Sequence, residues 1–211
     1  MSLKKKAETK LIKGDVGNIE VRIKPTQTID VSSKKQLVVI SHPHPLYGGT
    51  MNNKVVTTLE RAFSHLGYIT IAYNFRGVGH SDGEYDNGLG EQKDLQAVIN
   101  WAQSEFDVDE TVLAGFSFGS YVTLQAHKKC NVDALCTIAP PVGLYDFSDI
   151  QDIILPWVLV QGGQDEVISA QEILDWAMKQ DAKPDVYWRD KASHFFHGEL
   201  IWLRKVIEMA Y

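Results

Sequence analysis

Several features that mark other classes of protein are missing from this sequence. No apolar stretch approaches the roughly 20 residues that a membrane-spanning helix requires, so we expect no membrane span. The lysines at the N-terminus are not followed by the apolar segment that a secretory signal contains. Cysteine is scarce, with Cys130 and Cys136 as the only two. Since disulfides are rare in reducing compartments, we expect two reduced thiols in a cytoplasmic protein.

An excess of basic residues is missing as well. The chain has 21 lysines and arginines against 27 aspartates and glutamates, which gives a formal net charge of −6. Binding to nucleic-acid phosphates requires a concentrated basic face, so this composition argues against nucleic acid as the main partner. The one basic cluster, Lys4 to Lys6 with Lys10, lies in what we predict to be a flexible tail over residues 1–10.

Internal repeats and linker-like stretches are also missing. A chain of 211 residues is long enough to bury one sheet beneath helices on both faces. We therefore predict a single domain over residues 1–211. The sequence leaves the oligomeric state open between a monomer and a small homo-oligomer.

Apolar strands alternate with amphipathic helices along most of the chain. The pattern on either side of GDVGN predicts an antiparallel hairpin over residues 11–24. Short apolar runs follow that are typical of strands buried on both faces of a parallel sheet: LVVIS, YITIAYNF, TVLAGF, ALCTIAP, WVLVQGG and, more weakly, DVYWRD. Helical stripes lie between them, for example Leu95, Val98, Ile99 and Ala102. This alternation predicts an α/β fold with a mostly parallel sheet and right-handed crossovers.

The pentapeptide GFSFG places Ser117 between the end of the strand TVLA and the helical segment SYVTLQAHKK. A Gly-x-Ser-x-Gly string alone is common, but a strand, a tight turn and a helix are the setting in which it presents a nucleophile. We expect the turn to strain the backbone of Ser117, and we expect side chains at Gly115 or Gly119 to clash with the neighbouring strand and helix. The hydroxyl is then exposed at the C-terminal edge of the sheet, where open α/β sheets bind ligands.

A serine nucleophile requires a base to accept its proton and an acid to orient that base. In folds with this turn, the three groups follow in the order Ser, Asp or Glu, His. The strand VLVQGG is followed by Asp165, and the last predicted strand is followed by His194. Because all three groups follow parallel strands, we predict that they meet at one edge of the sheet as a catalytic triad. Glu166 in place of Asp165 and His197 in place of His194 are the alternatives.

Acyl transfer through serine also requires two N–H groups that bind the negatively charged oxygen of the tetrahedral intermediate. The amide of Phe118, directly after the nucleophile, is the first candidate. The second is expected from SHPHPLYGG, the loop after the first parallel strand, where Pro43 and Pro45 have no N–H. His44 and Leu46 remain as alternatives.

The same loop allows a second interpretation, in which His42 and His44 bind a metal ion. Two residues apart on an extended chain, their side chains can share one face. A zinc site requires three or four ligands, however, and no third histidine or cysteine is nearby in the sequence. We therefore predict no metal and no other cofactor.

Together, SHPHPLYGG, NFRGVGHSDG, GFSFG, GGQDEVI and SHFF resemble the motifs of the α/β-hydrolase superfamily, from about Leu37 to the C-terminus. The segment HPHPLYGGTMNNKV looks like that of a group of small bacterial hydrolases described as dienelactone-hydrolase-like or as predicted α/β hydrolases. The resemblance implies a three-layer fold, in which a mostly parallel sheet of about eight strands has an antiparallel first hairpin and helices on both faces. It also implies that Arg76, Gly77 and Gly79 shape the loop NFRGVGHSDG near the rim of the active site.

Two departures from the family pattern limit what the resemblance implies. Dienelactone hydrolases carry a cysteine nucleophile, whereas this chain has Ser117, so their substrate is not transferred. Many relatives insert a helical lid after the strand that ends at Pro140, but here only residues 141–155 fill that gap. We therefore predict no lid domain and an open site. Its walls are expected among the aromatic residues Tyr47, Tyr145 and Phe195, with Phe116, Phe118 and Phe147 as further candidates.

These observations predict a serine hydrolase that cleaves small-molecule esters or thioesters of small acyl groups through an acyl-enzyme. Two alternatives, an acyltransferase and a peptidase, use the same triad. A third alternative is a noncatalytic binding module that has kept the fold.

Overall fold

A computed structural model describes residues 7–25 and 34–211. Within these ranges the chain forms eight strands: β1 Glu8–Lys13, β2 Asn18–Lys24, β3 Gln36–Ser41, β4 Ile69–Tyr73, β5 Glu110–Phe116, β6 Ala134–Ile138, β7 Trp157–Gly162 and β8 Asp185–Arg189. It also forms five α-helices: α1 Lys54–His65, α2 Leu89–Phe106, α3 Phe118–Ala126, α4 Ala170–Lys179 and α5 Leu200–Ala210. Short 3₁₀ turns cover Pro45–Tyr47 and His127–Lys129.

All eight strands belong to one sheet, in the order β1-β2-β4-β3-β5-β6-β7-β8. The first hairpin and the β2–β4 pair are antiparallel, and every other neighbouring pair is parallel. The carboxyl ends of β3 to β8 therefore lie along the same edge, so the segments that follow β3, β5, β7 and β8 can meet there. The predicted fold class, a mostly parallel sheet with an antiparallel first hairpin, is confirmed.

Helices cover both faces of the sheet, which gives the three predicted layers. Leu37 and Val39 of β3 point into the core beneath α2, α3 and α4. Val38 and Ile40 point to the opposite face, where α1 and α5 pack. All four side chains are fully buried, which explains why the strands appear in the sequence as uninterrupted apolar runs.

No lid covers the carboxyl edge. The segment between β6 and β7, residues 139–156, is described throughout and contains no helix, only an isolated bridge between Val142 and Tyr145. The absence of a lid domain, predicted from the short gap, is therefore confirmed. Across the two described ranges, no helix is both long enough and apolar enough to span a membrane. The two cysteines are free thiols, with Cys136 buried and Cys130 half-buried.

The prediction of a flexible tail over residues 1–10 is corrected for residues 8–10. Residues 1–6 of that tail lie outside the described residues, but residues 8–10 belong to β1, where Lys10 pairs with Val21. The ammonium of Lys10 lies 3.3 Å from the carboxylate of Glu105 and 4.6 Å from the centre of the Trp101 ring. Residues 8–10 are ordered by contacts with distant segments of the chain. The prediction of a tail was based on the local cluster of lysines, which carries no information about such contacts. One domain over the whole chain stays a prediction.

Candidate active site

The turn between β5 and α3 holds Ser117 in a conformation that ordinary residues avoid, with φ 53° and ψ −119°. Its N–H donates to the carbonyl oxygen of Ile138 on β6, at 2.8 Å. A Cβ on Gly115 would clash with the backbone of Gly119, and a Cβ on Gly119 would clash with the carbonyl oxygen of Ser41. The two glycines therefore allow the turn to pack between β3 and α3, and this packing sustains the strain at the serine.

Ser120 stabilises this turn through hydrogen bonds of its side chain, and the sequence analysis did not identify it. Its buried hydroxyl lies 2.7 Å from the carbonyl oxygen of Gly115 and accepts the N–H of Ile138 at 3.1 Å. It thus connects the end of β5 to the end of β6 on either side of the nucleophile. A polar residue that follows the pentapeptide directly, at the start of a buried helix, was the only signal in the sequence.

The structure brings Ser117, His194 and Asp165 into one hydrogen-bonded chain. Nε2 of His194 lies 3.1 Å from Oγ of Ser117, and Nδ1 lies 2.8 Å from Oδ2 of Asp165. The imidazole is 2% exposed and packs against the rings of Phe116 and Phe195, at centroid distances of 5.2 and 5.1 Å. The arrangement can accept a proton from the serine and hold the resulting imidazolium beside a carboxylate.

The surroundings of Asp165 keep its carboxylate ionised. Burial acts to raise the pKa of Asp165, but the hydrogen bond and the charge of His194 outweigh it, together with the N–H groups of Ile168 and Val167. Both N–H groups donate to Oδ1 at 2.9 Å. The net effect is a pKa below the usual value of an aspartate.

Gln161 is a second residue that sequence reasoning missed. It is the last-but-one residue of β7 and is fully buried. Its Nε2 donates to Oδ2 of Asp165 at 3.1 Å and to the carbonyl oxygen of Gly162 at 3.0 Å. Oδ2 is the same oxygen that contacts the imidazole, so Gln161 and His194 together fix the position of this carboxylate oxygen. A lone polar residue in the apolar run WVLVQGG was its signal.

The structure does not bring the two alternative residues into the relay. Glu166 accepts the backbone N–H of His194 at 3.0 Å, so its carboxylate anchors the loop and does not contact the imidazole. His197 is exposed and stacks on Phe195 with 5.8 Å between ring centroids. Neither Glu166 nor His197 lines the cleft above Ser117.

The structure separates His44 from Leu46 as candidates for the second oxyanion donor. The N–H of Leu46 donates to Nδ1 of His44 at 3.2 Å, and Leu46 is 69% exposed and does not line the cleft. The prediction that included Leu46 as a donor is therefore corrected, because the N–H of Leu46 is already hydrogen-bonded to the imidazole of His44. His44 does line the cleft, and among the described residues its N–H makes no hydrogen bond. Phe118 is the first residue of α3, so its N–H has no partner within the helix.

A cleft of about 560 Å³ opens above Ser117. Of the residues predicted as its walls, Tyr47, Tyr145 and Phe195 line it, as does Phe118. The other two do not. Phe116 is fully buried behind the imidazole of His194, and Phe147 packs against Trp176 at a centroid distance of 5.0 Å.

His42 has no free nitrogen for a metal ion. Its Nδ1 lies 2.6 Å from the carbonyl oxygen of Pro43, and its Nε2 accepts the N–H of Phe75 at 3.0 Å. Burial lowers its pKa to about 4, so the ring is neutral and joins two loops. The described residues contain no group of three His, Cys, Asp or Glu side chains that could hold a metal ion.

The loop NFRGVGHSDG does not line the cleft above Ser117. The guanidinium of Arg76 forms two hydrogen bonds to the carboxylate of Asp94, at 3.0 and 2.8 Å, and does not line the cleft. Gly77 and Gly79 have φ values of 73° and 58°, which favour glycine. These residues shape the turn, as the family resemblance implied.

Comparison with known proteins gives a family match and curated relatives. The family model described as X-Pro dipeptidyl-peptidase (S15 family) matches residues 24–153, more than half of the chain. The matched range includes Ser117 but ends before Asp165 and His194. A protein of Rickettsia prowazekii (strain Madrid E), uncharacterized protein RP471, is 34% identical over 187 residues, which cover 84% of this chain and 79% of that protein.

Two solved structures are similar over nearly the whole chain. One is XC6422 from Xanthomonas campestris, described as an α/β serine hydrolase without lid, with 38% identity and a TM-score of 0.91 over 97% of this chain and 93% of that one. The other is an α-β serine hydrolase homologue from Coxiella burnetii, with 42% identity and a TM-score of 0.90 over 96% of each chain.

Proposed function

Since the chain belongs to the S15 peptidase family, within the α/β-hydrolase superfamily, we propose that it is a serine hydrolase that cleaves esters or thioesters of small acyl groups. The observation that carries this proposal is the relay from Ser117 through His194 to Asp165, with distances of 3.1 and 2.8 Å at the floor of an uncovered cleft. A fold alone does not imply a reaction, but an ordered base beside a strained serine has the geometry of acyl transfer.

In the first half of the reaction, Oγ of Ser117 attacks the carbonyl carbon while Nε2 of His194 accepts the hydroxyl proton. The amides of Phe118 and His44 bind the oxygen as it becomes negatively charged. When the intermediate collapses, the bond to the leaving group breaks, and His194 donates its proton to the departing oxygen or sulfur atom. The product of this half-reaction is an acyl-serine.

In the second half, His194 accepts a proton from water, and the resulting hydroxide attacks the acyl-serine carbonyl. Collapse of this second intermediate returns the proton to Oγ of Ser117 and releases the carboxylic acid. Asp165 holds Nδ1–H of His194 throughout and stabilises the imidazolium that forms in each half. The absence of a lid supports this step, because water can enter the cleft directly.

Peptide cleavage is the second candidate, and the family description is the observation that favours it. Amide and ester hydrolysis use the same relay and differ in whether His194 protonates a leaving amine or a leaving alcohol. A peptide panel run beside an ester panel separates the two. An acyltransferase would instead form new esters when a competing alcohol is added.

The central experiment is the Ser117→Ala variant. The wild-type protein should hydrolyse p-nitrophenyl acetate and be labelled by a fluorophosphonate probe, and the variant should do neither. Ser193→Ala is the matched control, because the buried Oγ of Ser193 has no hydrogen-bond partner among the described residues. Turnover retained in Ser117→Ala would overturn the mechanism, and a wild-type protein inert to both reagents would favour the binding-module alternative.

A further inference from the structure

The cleft above Ser117 is lined without an acidic side chain, a lysine or an arginine among the described residues. The side chain of Asp165 is 0% exposed, and its Oδ2 lies 2.8 Å from Nδ1 of His194. A substrate that enters the cleft therefore meets no carboxylate, lysine or arginine side chain there, although the chain as a whole has a net charge of −6.

The second histidine of the cleft, His44, is held neutral by two independent features. Its Nδ1 accepts the N–H of Leu46, and this requires a lone pair that the protonated ring does not have. Burial also lowers its pKa below the usual value. The ring packs with Phe118 and Tyr145, at centroid distances of 5.1 and 6.4 Å, and so contributes to an aromatic wall.

Exposed apolar side chains form the rim of this cleft. Tyr47 is 87% exposed, Leu144 61%, Val167 45% and Phe195 37%, and all four line the cleft. Apolar area that is removed from water contributes about 25 cal/mol per Å², and clustered exposed apolar groups mark a binding surface. Since this cluster surrounds the reactive serine and no lid covers it, its occupant is the substrate itself.

This inference rests on the proposed function and narrows its substrate class. We propose that the cleft selects esters whose acyl group is uncharged and apolar, and that it disfavours acyl groups that carry a carboxylate. A carboxylate that enters the cleft loses part of its hydration and meets no cationic side chain of lysine or arginine among the described residues that line it. An alkyl or aryl group at the same place gains apolar contact with the rim.

The first test compares two p-nitrophenyl esters that differ only at the end of the acyl chain: hexanoate and the monoester of adipate. We expect kcat/KM for the adipate ester to be lower than for hexanoate by about tenfold, which corresponds to about 1.4 kcal/mol. Equal values, or a preference for the adipate ester, would overturn the proposal. A wild-type protein that hydrolyses neither ester and resists the fluorophosphonate probe would instead overturn the proposed function.

The second test introduces a cation at the rim. Leu144→Lys should raise kcat/KM for the adipate ester relative to hexanoate by several-fold, whereas Ile201→Lys, at a 75% exposed position on α5 outside the cleft, should leave the ratio unchanged. Val167→Lys repeats the test if Leu144→Lys folds poorly. An unchanged ratio in a folded rim variant would contradict the proposal.

Discussion

Nδ1 of His44 accepts the N–H of Leu46, with 3.2 Å between the two nitrogen atoms. This hydrogen bond engages the N–H of Leu46, one of the two candidate amides of the loop. The other, that of His44 itself, belongs to a residue that lines the cleft and has no partner among the described residues. The same hydrogen bond also fixes the neutral imidazole as the tautomer with its proton on Nε2, because Nδ1 must supply the lone pair.

The oxyanion role of the His44 amide can be tested by deleting the N–H. His44 has φ −52°, which lies within the range of proline, so His44→Pro removes the donor with little change in the backbone. His44→Ala is the matched control, since it loses the imidazole but keeps the N–H. We expect kcat for p-nitrophenyl acetate to be about 100-fold lower in His44→Pro than in His44→Ala. Equal kcat values would assign the oxyanion to another donor.

The adjacent carboxylates Asp165 and Glu166 should differ sharply in their effect on rate. Asp165→Asn removes the negative charge beside Nδ1 of His194 and lets the imidazole adopt the wrong tautomer, so we expect kcat to fall by roughly 1,000-fold or more. Glu166→Gln keeps an oxygen that can accept the backbone N–H of His194, so we expect a loss of less than about tenfold. Steady-state measurements of kcat at one pH distinguish the two variants. A larger loss of kcat in Glu166→Gln than in Asp165→Asn would make Glu166 the acid of the triad.

Gln161 should act on catalysis as a positioning residue, through Asp165. Gln161→Leu removes the hydrogen bond to Oδ2 while keeping an apolar side chain in β7, and the freed carboxylate can turn away from the imidazole. We expect kcat to fall by about tenfold with KM unchanged, since the bond is made to a charged group. Gln164→Leu, at an exposed position before Asp165, is the control. If KM rises while kcat is retained, the role is structural only.

His42 should make the folded state sensitive to mild acid. Its pKa is about 4 in the folded protein against 6.5 in the unfolded chain. Between these values the unfolded state binds a proton that the folded state does not, so stability is present above pH 6.5 and is lost as the pH falls through the folded pKa. The loss over this window amounts to about 3 kcal/mol.

His42→Gln supplies the comparison, because glutamine offers a donor and an acceptor but does not titrate in this range. Urea unfolding near neutral pH and near pH 4 should show a drop in the free energy of unfolding that is larger for the wild-type protein by about 3 kcal/mol. All other titrating groups are present in both proteins, so their contributions cancel when the two drops in the free energy of unfolding are compared. A drop of the same size in both would mean that His42 is protonated in the fold.

Much of the fold was predictable because its causes act along the chain. Runs such as LVVIS are buried on both faces of the sheet, and a run that is apolar at every position carries that information locally. The tail at Lys10 was predicted wrongly for the opposite reason. Its order comes from Val21, Trp101 and Glu105, and two of these residues lie far away in the sequence.

The sequence by itself determined the α/β sheet, the strained turn at Ser117 and the chain order of serine, acid and histidine, because periodicity and glycine sterics operate over a few residues. Only the tertiary structure decided which carboxylate faces the imidazole of His194, which loop amide is free, and that no acidic side chain, lysine or arginine lines the described cleft. Neighbouring side chains and amides, such as those of Asp165 and Glu166, point in different directions. What each of them contacts depends on segments that folding brings in from elsewhere in the chain.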